Sequence, residues 1–192
     1  MKNSGISLLT QWGLVLLAFA AMIYAMIVIK EEKSSYEDEA IETIFGPFIL
    51  LIPSWWGNIK STNLFLEYQR TETRYKWFSR YEYIESSKER LDLDLAEYLN
   101  FEQIFFDEDE TVFETNPEYF IKNREITNLI EAVIRVEGTA TQHDNDRIYL
   151  DIIFMKLKDT SGFYIFQSHS SVLNGALEGP YFEETINQMK LK

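Results

Sequence analysis

IEAVIRVEGTATQHDNDRIYLDIIFMKLKDTSGFYIFQSHSS, residues 130–171, decides the fold. At its start Ile130, Ala132, Ile134, Val136, Gly138 and Ala140 alternate with Glu131, Val133, Arg135, Glu137 and Thr139. Successive side chains of a strand point to opposite faces, so this period of two predicts a half-buried strand. Residues 141–146 (TQHDND) are turn chemistry, because Asn and Asp bond their own backbone. A second strand is expected over 147–157, a second turn over 159–162 (DTSG) and a third strand over 163–168. Strands joined by such short polar turns form an antiparallel meander.

Upstream, the apolar run 48–52 (FILLI) lies between Pro47 and Pro53. It is too short to cross a bilayer and predicts a buried strand. Residues 55–58 (WWGN) predict a turn. Segments 63–69 (NLFLEYQ) and 75–84 (YKWFSRYEYI) are rich in aromatic and bulky apolar residues and predict strands. The charged link between them fits a hairpin or one long bent strand. Asp94 with Glu97 three residues on has the form of a capping box at a helix start. Leu95, Tyr98 and Leu99 give that helix an apolar stripe. Residues 106–116 are acidic and show no periodicity. Downstream, Gly179-Pro180 predicts the start of a last helix, with Phe182, Ile186 and Met189 on one face. The expected class is α+β, a mostly antiparallel sheet with helices packed on it.

At the N-terminus, residues 12–29 (WGLVLLAFAAMIYAMIVI) carry no charge. At about 1.5 Å per residue a helix of this length crosses a roughly 30 Å hydrocarbon layer. Ala18-Phe19-Ala20 has the form of a signal-peptidase site, but 22–29 stay apolar beyond it, where a cleaved signal turns polar. The expected organisation is a tail and transmembrane helix over 1–30, an acidic stalk over 31–45 and a soluble domain over 46–192. About 160 residues after the helix suffice for one hydrophobic core. Lys/Arg counts on the two flanks are nearly balanced. The short leading tail and large acidic domain favour a domain outside the cytoplasm, periplasmic in a bacterium.

The chain of 192 residues has net charge −13, and since 1–30 hold two lysines and no acid, the remainder carries −15. Phosphate binding needs clustered Lys and Arg, so nucleic acid is not an expected partner. With no cysteine, disulfides, thiolate metal sites and a cysteine nucleophile are excluded.

The phrase 48–56 (FILLIPSWW), the long strand finishing in small residues at 133–140 (VIRVEGTA), the strand 163–168 (FYIFQS) and a terminal helix with Phe182 near its start resemble the PsbP-like and DcrB-like domain family. The similarity covers residues 47–189. The doubled Trp and the acidic run at 107–110 depart from that pattern. The resemblance implies a non-catalytic accessory, assembly or binding module. An NTF2-like cone needs more helix before its sheet than this chain offers.

Each chemical constellation has a plainer reading. Asp107-Glu108-Asp109-Glu110 lacks the mid-loop Gly and terminal Glu of an EF-hand and reads as a solvated acidic loop. His143, Asp144 and Asp146 lack the spacing of a zinc site and read as a polar turn. Ser168 and His169 are strand neighbours pointing to opposite faces, so they do not form a nucleophile–base pair. No Gly-rich phosphate loop occurs. Cofactor and metal are therefore both expected to be none, and no enzyme activity is expected. The aromatic ladder Tyr75, Trp77, Phe78, Tyr81, Tyr83 reads as cross-strand packing. Tryptophan is enriched in binding hot spots, so Trp55, Trp56, Tyr75 and Trp77 are the candidate partner-binding residues.

The function expected is a single-pass, non-enzymatic accessory, assembly or structural subunit of a larger membrane protein complex, with a protein partner. The alternative is a carrier or sensor of an apolar or lipidic ligand. A sizeable apolar pocket would favour the carrier, whereas a filled core with exposed aromatic residues would favour the subunit.

Overall fold

A computed structural model describes residues 8–70, 76–86, 91–143, 146–172 and 175–192. The chain divides into two units, Met1–Ala40 and Ile41–Lys192. The first is helix α1, Leu8–Glu39. Its stretch Thr10–Val28 is long and apolar enough to cross a membrane. No Gly or Pro occurs between Gly13 and Gly46, so nothing breaks the helix as apolar residues give way to charged ones. The segment expected as a stalk over 31–45 is thus helical to Glu39. Its end belongs to the second unit, where strand β1 opens at Ile41.

The second unit is α+β with antiparallel sheets. Strands β1 (Ile41–Phe45), β2 (Phe48–Ile52) and β10 (Lys190–Leu191) form a small sheet in the order β1-β2-β10. A seven-stranded sheet is built from β3 (Trp56–Thr62), β4 (Phe65–Arg70), β5 (Trp77–Glu85), β6 (Ile104–Glu114), β7 (Ile130–Gln142), β8 (Asp146–Leu157) and β9 (Gly162–Ser171). Its order is β3-β4-β5-β9-β8-β7-β6. Helix α2 (Leu91–Phe101) joins β5 to β6, α3 (Arg124–Leu129) precedes β7, and α4 (Gly175–Asn187) lies between β9 and β10.

The expected meander is β7-β8-β9, paired antiparallel throughout. β4 and β5 are a hairpin pair rather than one bent strand. The turn expected over 55–58 falls earlier, because Trp56 already begins β3. α4 begins at Gly175, one turn before Gly179, and keeps Pro180 inside it.

Both faces of the large sheet are covered. Val133, Ile153, Met155 and Phe166 join Trp56, Trp77, Tyr81, the β2 side chains, and Phe182 and Ile186 of α4 in one cluster. The alternate residues Val136, Ile152, Phe154 and Ile165 join Leu95 and Ile104 in a second, with Tyr98 and Leu99 of α2 packed against it. This explains the apolar run 152–155 (IIFM) in β8. A strand buried on both faces has no polar side to display.

β6 carries a bulge where the acidic run sits. Phe106 pairs with Ala140 and Thr111 with Gly138, so residues 107–110 oppose Thr139 alone. The Thr139 hydroxyl lies 2.8 Å from Asp107 Oδ2 and also reaches Glu110. Arg147 pairs with Asp107 from the next strand. The bulge needs Gly138: a Cβ there would stand 2.5 Å from the Glu110 carbonyl oxygen and 2.9 Å from Thr111 Cα. Gly138→Ala should therefore cost about 1–3 kcal/mol of stability through overpacking, read as a lowered urea midpoint. An unchanged midpoint would mean the bulge yields freely.

Candidate functional site

Strand register builds a polar row across the face that α4 covers. Glu137 of β7 pairs with Asp151 of β8, Asp151 with Ser168 of β9, and Ser168 with Ser79 of β5. Asp151, Ser168 and Ser79 are buried. Over this row α4 contributes Glu178 and Glu183.

At one end stands Arg135. Its Nε donates to Asp151 Oδ1 at 2.9 Å and its Nη2 to Asp151 Oδ2 at 2.8 Å. The same Nη2 donates to Glu137 at 2.9 Å and to Glu183. Tyr149 donates its hydroxyl to Glu137. The three carboxylates have oxygens within 4.8 Å of one another, the one such group among the described residues. A cleft of about 280 Å³ opens beside them, lined also by Tyr149, Ser168, Gly179 and Pro180.

Charge in this cluster is unbalanced, with three acids around one guanidinium. Burial pushes the Asp151 carboxyl up to about 7, with the Arg135 bonds pulling it down and Glu137 and Glu183 pushing it further up. Burial works to lower the Arg135 pKa, but its bonds to Asp151 and Glu183 outweigh that and hold it above its ordinary value. Burial and Glu137 both raise the Tyr149 phenol. Arg135 is thus the resident cation of the cluster. A divalent ion on these three carboxylates would have to displace a bidentate guanidinium, which fits carboxylate geometry well.

Glu178 stands at the other end, one turn before Phe182. It accepts from Trp56 Nε1 at 2.8 Å and Trp55 Nε1 at 3.4 Å, and pairs with Arg70 Nη1 at 3.0 Å. Trp56 packs on Trp77 with ring centroids 4.4 Å apart, and Trp77 Nε1 donates to Ser168 Oγ at 3.0 Å. Trp55 meets Tyr181 edge-on at 4.9 Å.

Three of the four candidate partner-binding residues therefore meet in space, but two are not at the surface. Trp56 and Trp77 are buried, because their indole N–H groups find acceptors beneath α4. That burial removes both from the contact surface expected of them. Trp55 keeps part of its ring exposed. Tyr75 lies outside the described residues.

Ser168 and His169 do point apart. Ser168 bonds Trp77, while the His169 ring stacks on Phe78 at 4.4 Å and meets Gln142 Oε1 at 3.0 Å through Nε2. Burial pulls this imidazole down to about 4. His143 sits at the β7–β8 turn with φ of 50° and its Nδ1 3.1 Å from Gln103 Oε1. Its expected turn-mate Asp144 lies outside the described residues. Sequence spacing gave no signal for the Arg135 cluster, whose members come from β7, β8 and α4. The local hints were charged residues inside apolar stretches, Arg135 between Ile134 and Val136 and Asp151 between Leu150 and Ile152.

No protein-family model and no curated protein sequence matches this chain.

Proposed function

We propose that this chain is a membrane-anchored, non-enzymatic accessory or assembly subunit of a larger membrane protein complex. In this reading α1 is the anchor, and the second unit is a PsbP-like domain held outside the cytoplasm. Support for the resemblance comes from the element order: strands before α2, the meander β7-β8-β9, then α4.

The observation that carries the proposal is a filled, two-sided core combined with large apolar side chains left exposed on the strand β6. Adjacent exposed apolar residues, as Val112 and Phe113 are on this strand, mark a candidate interaction surface where single ones do not. Beneath α4, Arg135 binds Glu137, Asp151 and Glu183, and Glu178 binds Trp55, Trp56 and Arg70, which consolidates the interior rather than opening it. A lipid carrier needs a large apolar cavity. The cleft beside Arg135 holds Glu137, Asp151 and Glu183, and the recess of about 480 Å³ beside α2, lined by Ile84, Tyr98, Phe101 and Phe163 together with Glu85, Asp94 and Glu97, is open to solvent rather than enclosed.

Purification of the full chain from native membranes in mild detergent, with mass spectrometry of what stays bound, tests this. A protein partner in stoichiometric amount is expected. A chain that elutes alone, carrying only lipid or a small molecule, would overturn the subunit role in favour of a carrier.

A further inference from the structure

The large sheet ends in two edges, β3 and β6. Among the described residues each pairs with a single neighbour, so each presents one unpaired side of backbone donors and acceptors, interrupted in β6 by the bulge at 107–110. The two edges differ in chemistry. β3 holds one charged residue, Lys60, and that ammonium lies over the Phe65 ring at 4.5 Å. β6 holds five acids, Asp107, Glu108, Asp109, Glu110 and Glu114, and no base. It also exposes Phe105 (57%), Val112 (65%) and Phe113 (66%).

We infer that β6 is a docking edge for an extended, basic segment of a protein partner, which adds to the sheet as an eighth strand. Main-chain hydrogen bonds to the free edge supply affinity in this mode, and side chains supply selectivity. Val112 and Phe113 point to opposite faces of the sheet, so both faces of an added strand find an apolar neighbour. Charge selects the occupant. Opposite charges directly across a strand pair stabilise it and like charges destabilise it. A second copy of this chain pairing through its own β6 would set five acids against five. A segment carrying Lys or Arg and paired along 111–114 would meet Glu114 on the ladder and the exposed Glu108 and Asp109 on the adjoining bulge, and the long-range attraction would speed its encounter.

The inference rests on the partner-bearing role proposed above, but its test is separate, because it reads the edge and not the complex. Three fluorescein-labelled peptides serve as probes: alternating valine–lysine, alternating valine–glutamate, and valine–lysine with alternate backbone nitrogens methylated. Their binding to the full-length protein in neutral detergent is measured by fluorescence anisotropy. Saturable binding of the valine–lysine peptide is expected, weakened at least about tenfold by N-methylation. Phe113→Lys should weaken it at least about tenfold, and Asp109→Lys should weaken it too. The matched change on the other edge, Ile59→Lys, should leave it unchanged. All three sites are exposed, and an unchanged melting transition confirms that each variant folds.

Equal binding of the methylated peptide would overturn strand addition. Equal loss from Ile59→Lys and Phe113→Lys would overturn the choice of edge. No saturable binding below about 1 mM would overturn the inference altogether. Concentration-dependent self-association abolished by Phe113→Lys would give the edge to a second copy instead.

Discussion

Arg135→Met should destabilise the domain by about 3–5 kcal/mol, the cost of breaking a buried ion pair from one side. Methionine matches much of the arginine stem, so the loss isolates the guanidinium. Without it, Glu137, Asp151 and Glu183 stand within 4.8 Å of one another with no cation between them. Asp151 is buried and loses both bonds from Arg135.

The same variant should change the pH dependence. In the wild type the Asp151 carboxyl is raised from 3.8 to about 7. Between those values the folded state holds a proton that the unfolded state has released. Stability through this group is therefore full below about 4 and falls as pH rises to about 7. Removing Arg135 takes away the groups that pull the pKa down, so the fall should extend to higher pH. The cost of Arg135→Met should be larger at pH 8 than at pH 5, measured by urea unfolding of wild type and variant at both. Equal costs, or a cost below about 1 kcal/mol, would mean that water rather than Arg135 compensates the cluster.

Phe166→Ala should cost about 3–5 kcal/mol, the range for a large aromatic removed from a packed core. Phe166 is fully buried in β9. Its ring meets Phe45 at 6.0 Å, Phe48 at 5.9 Å and Tyr81 at 5.9 Å, each edge-on. Those partners lie on β1, β2 and β5, so one ring ties the small sheet to the centre of the large one. Phe113→Ala, on the exposed part of β6, should stay within about 0.5 kcal/mol of wild type. Calorimetric or urea unfolding of the two variants compares them directly. A small loss at Phe166 would mean that Phe45 and Phe48 close over the vacated space.

Local pattern alone determined a good part of this protein. The uncharged run after Trp12 specifies a membrane-length helix by its length and composition. β2, β4, β5 and the meander follow from short-range signals: apolar runs, alternation, and Asn, Asp and Gly at the turns. The α2 stripe of Leu95, Tyr98 and Leu99 does pack on the sheet as its spacing requires.

Tertiary structure decided the rest. β3 and β6 escaped because edge strands are mostly solvated and need no apolar alternation, and because the bulge at 107–110 breaks what period β6 has. Trp55 and Trp56 are indistinguishable in sequence. Both indoles reach Glu178, 122 residues away from Trp56 in the chain, and packing separates them: Trp56 lies on Trp77 within the core, while Trp55 lies against Tyr181 and stays half-covered. Arg135 finds Asp151 through register and Glu183 through the docking of α4. Periodicity records how a residue sits on its own element. Which residues meet is set by the sum of many long-range contacts, and no window of the sequence contains that sum.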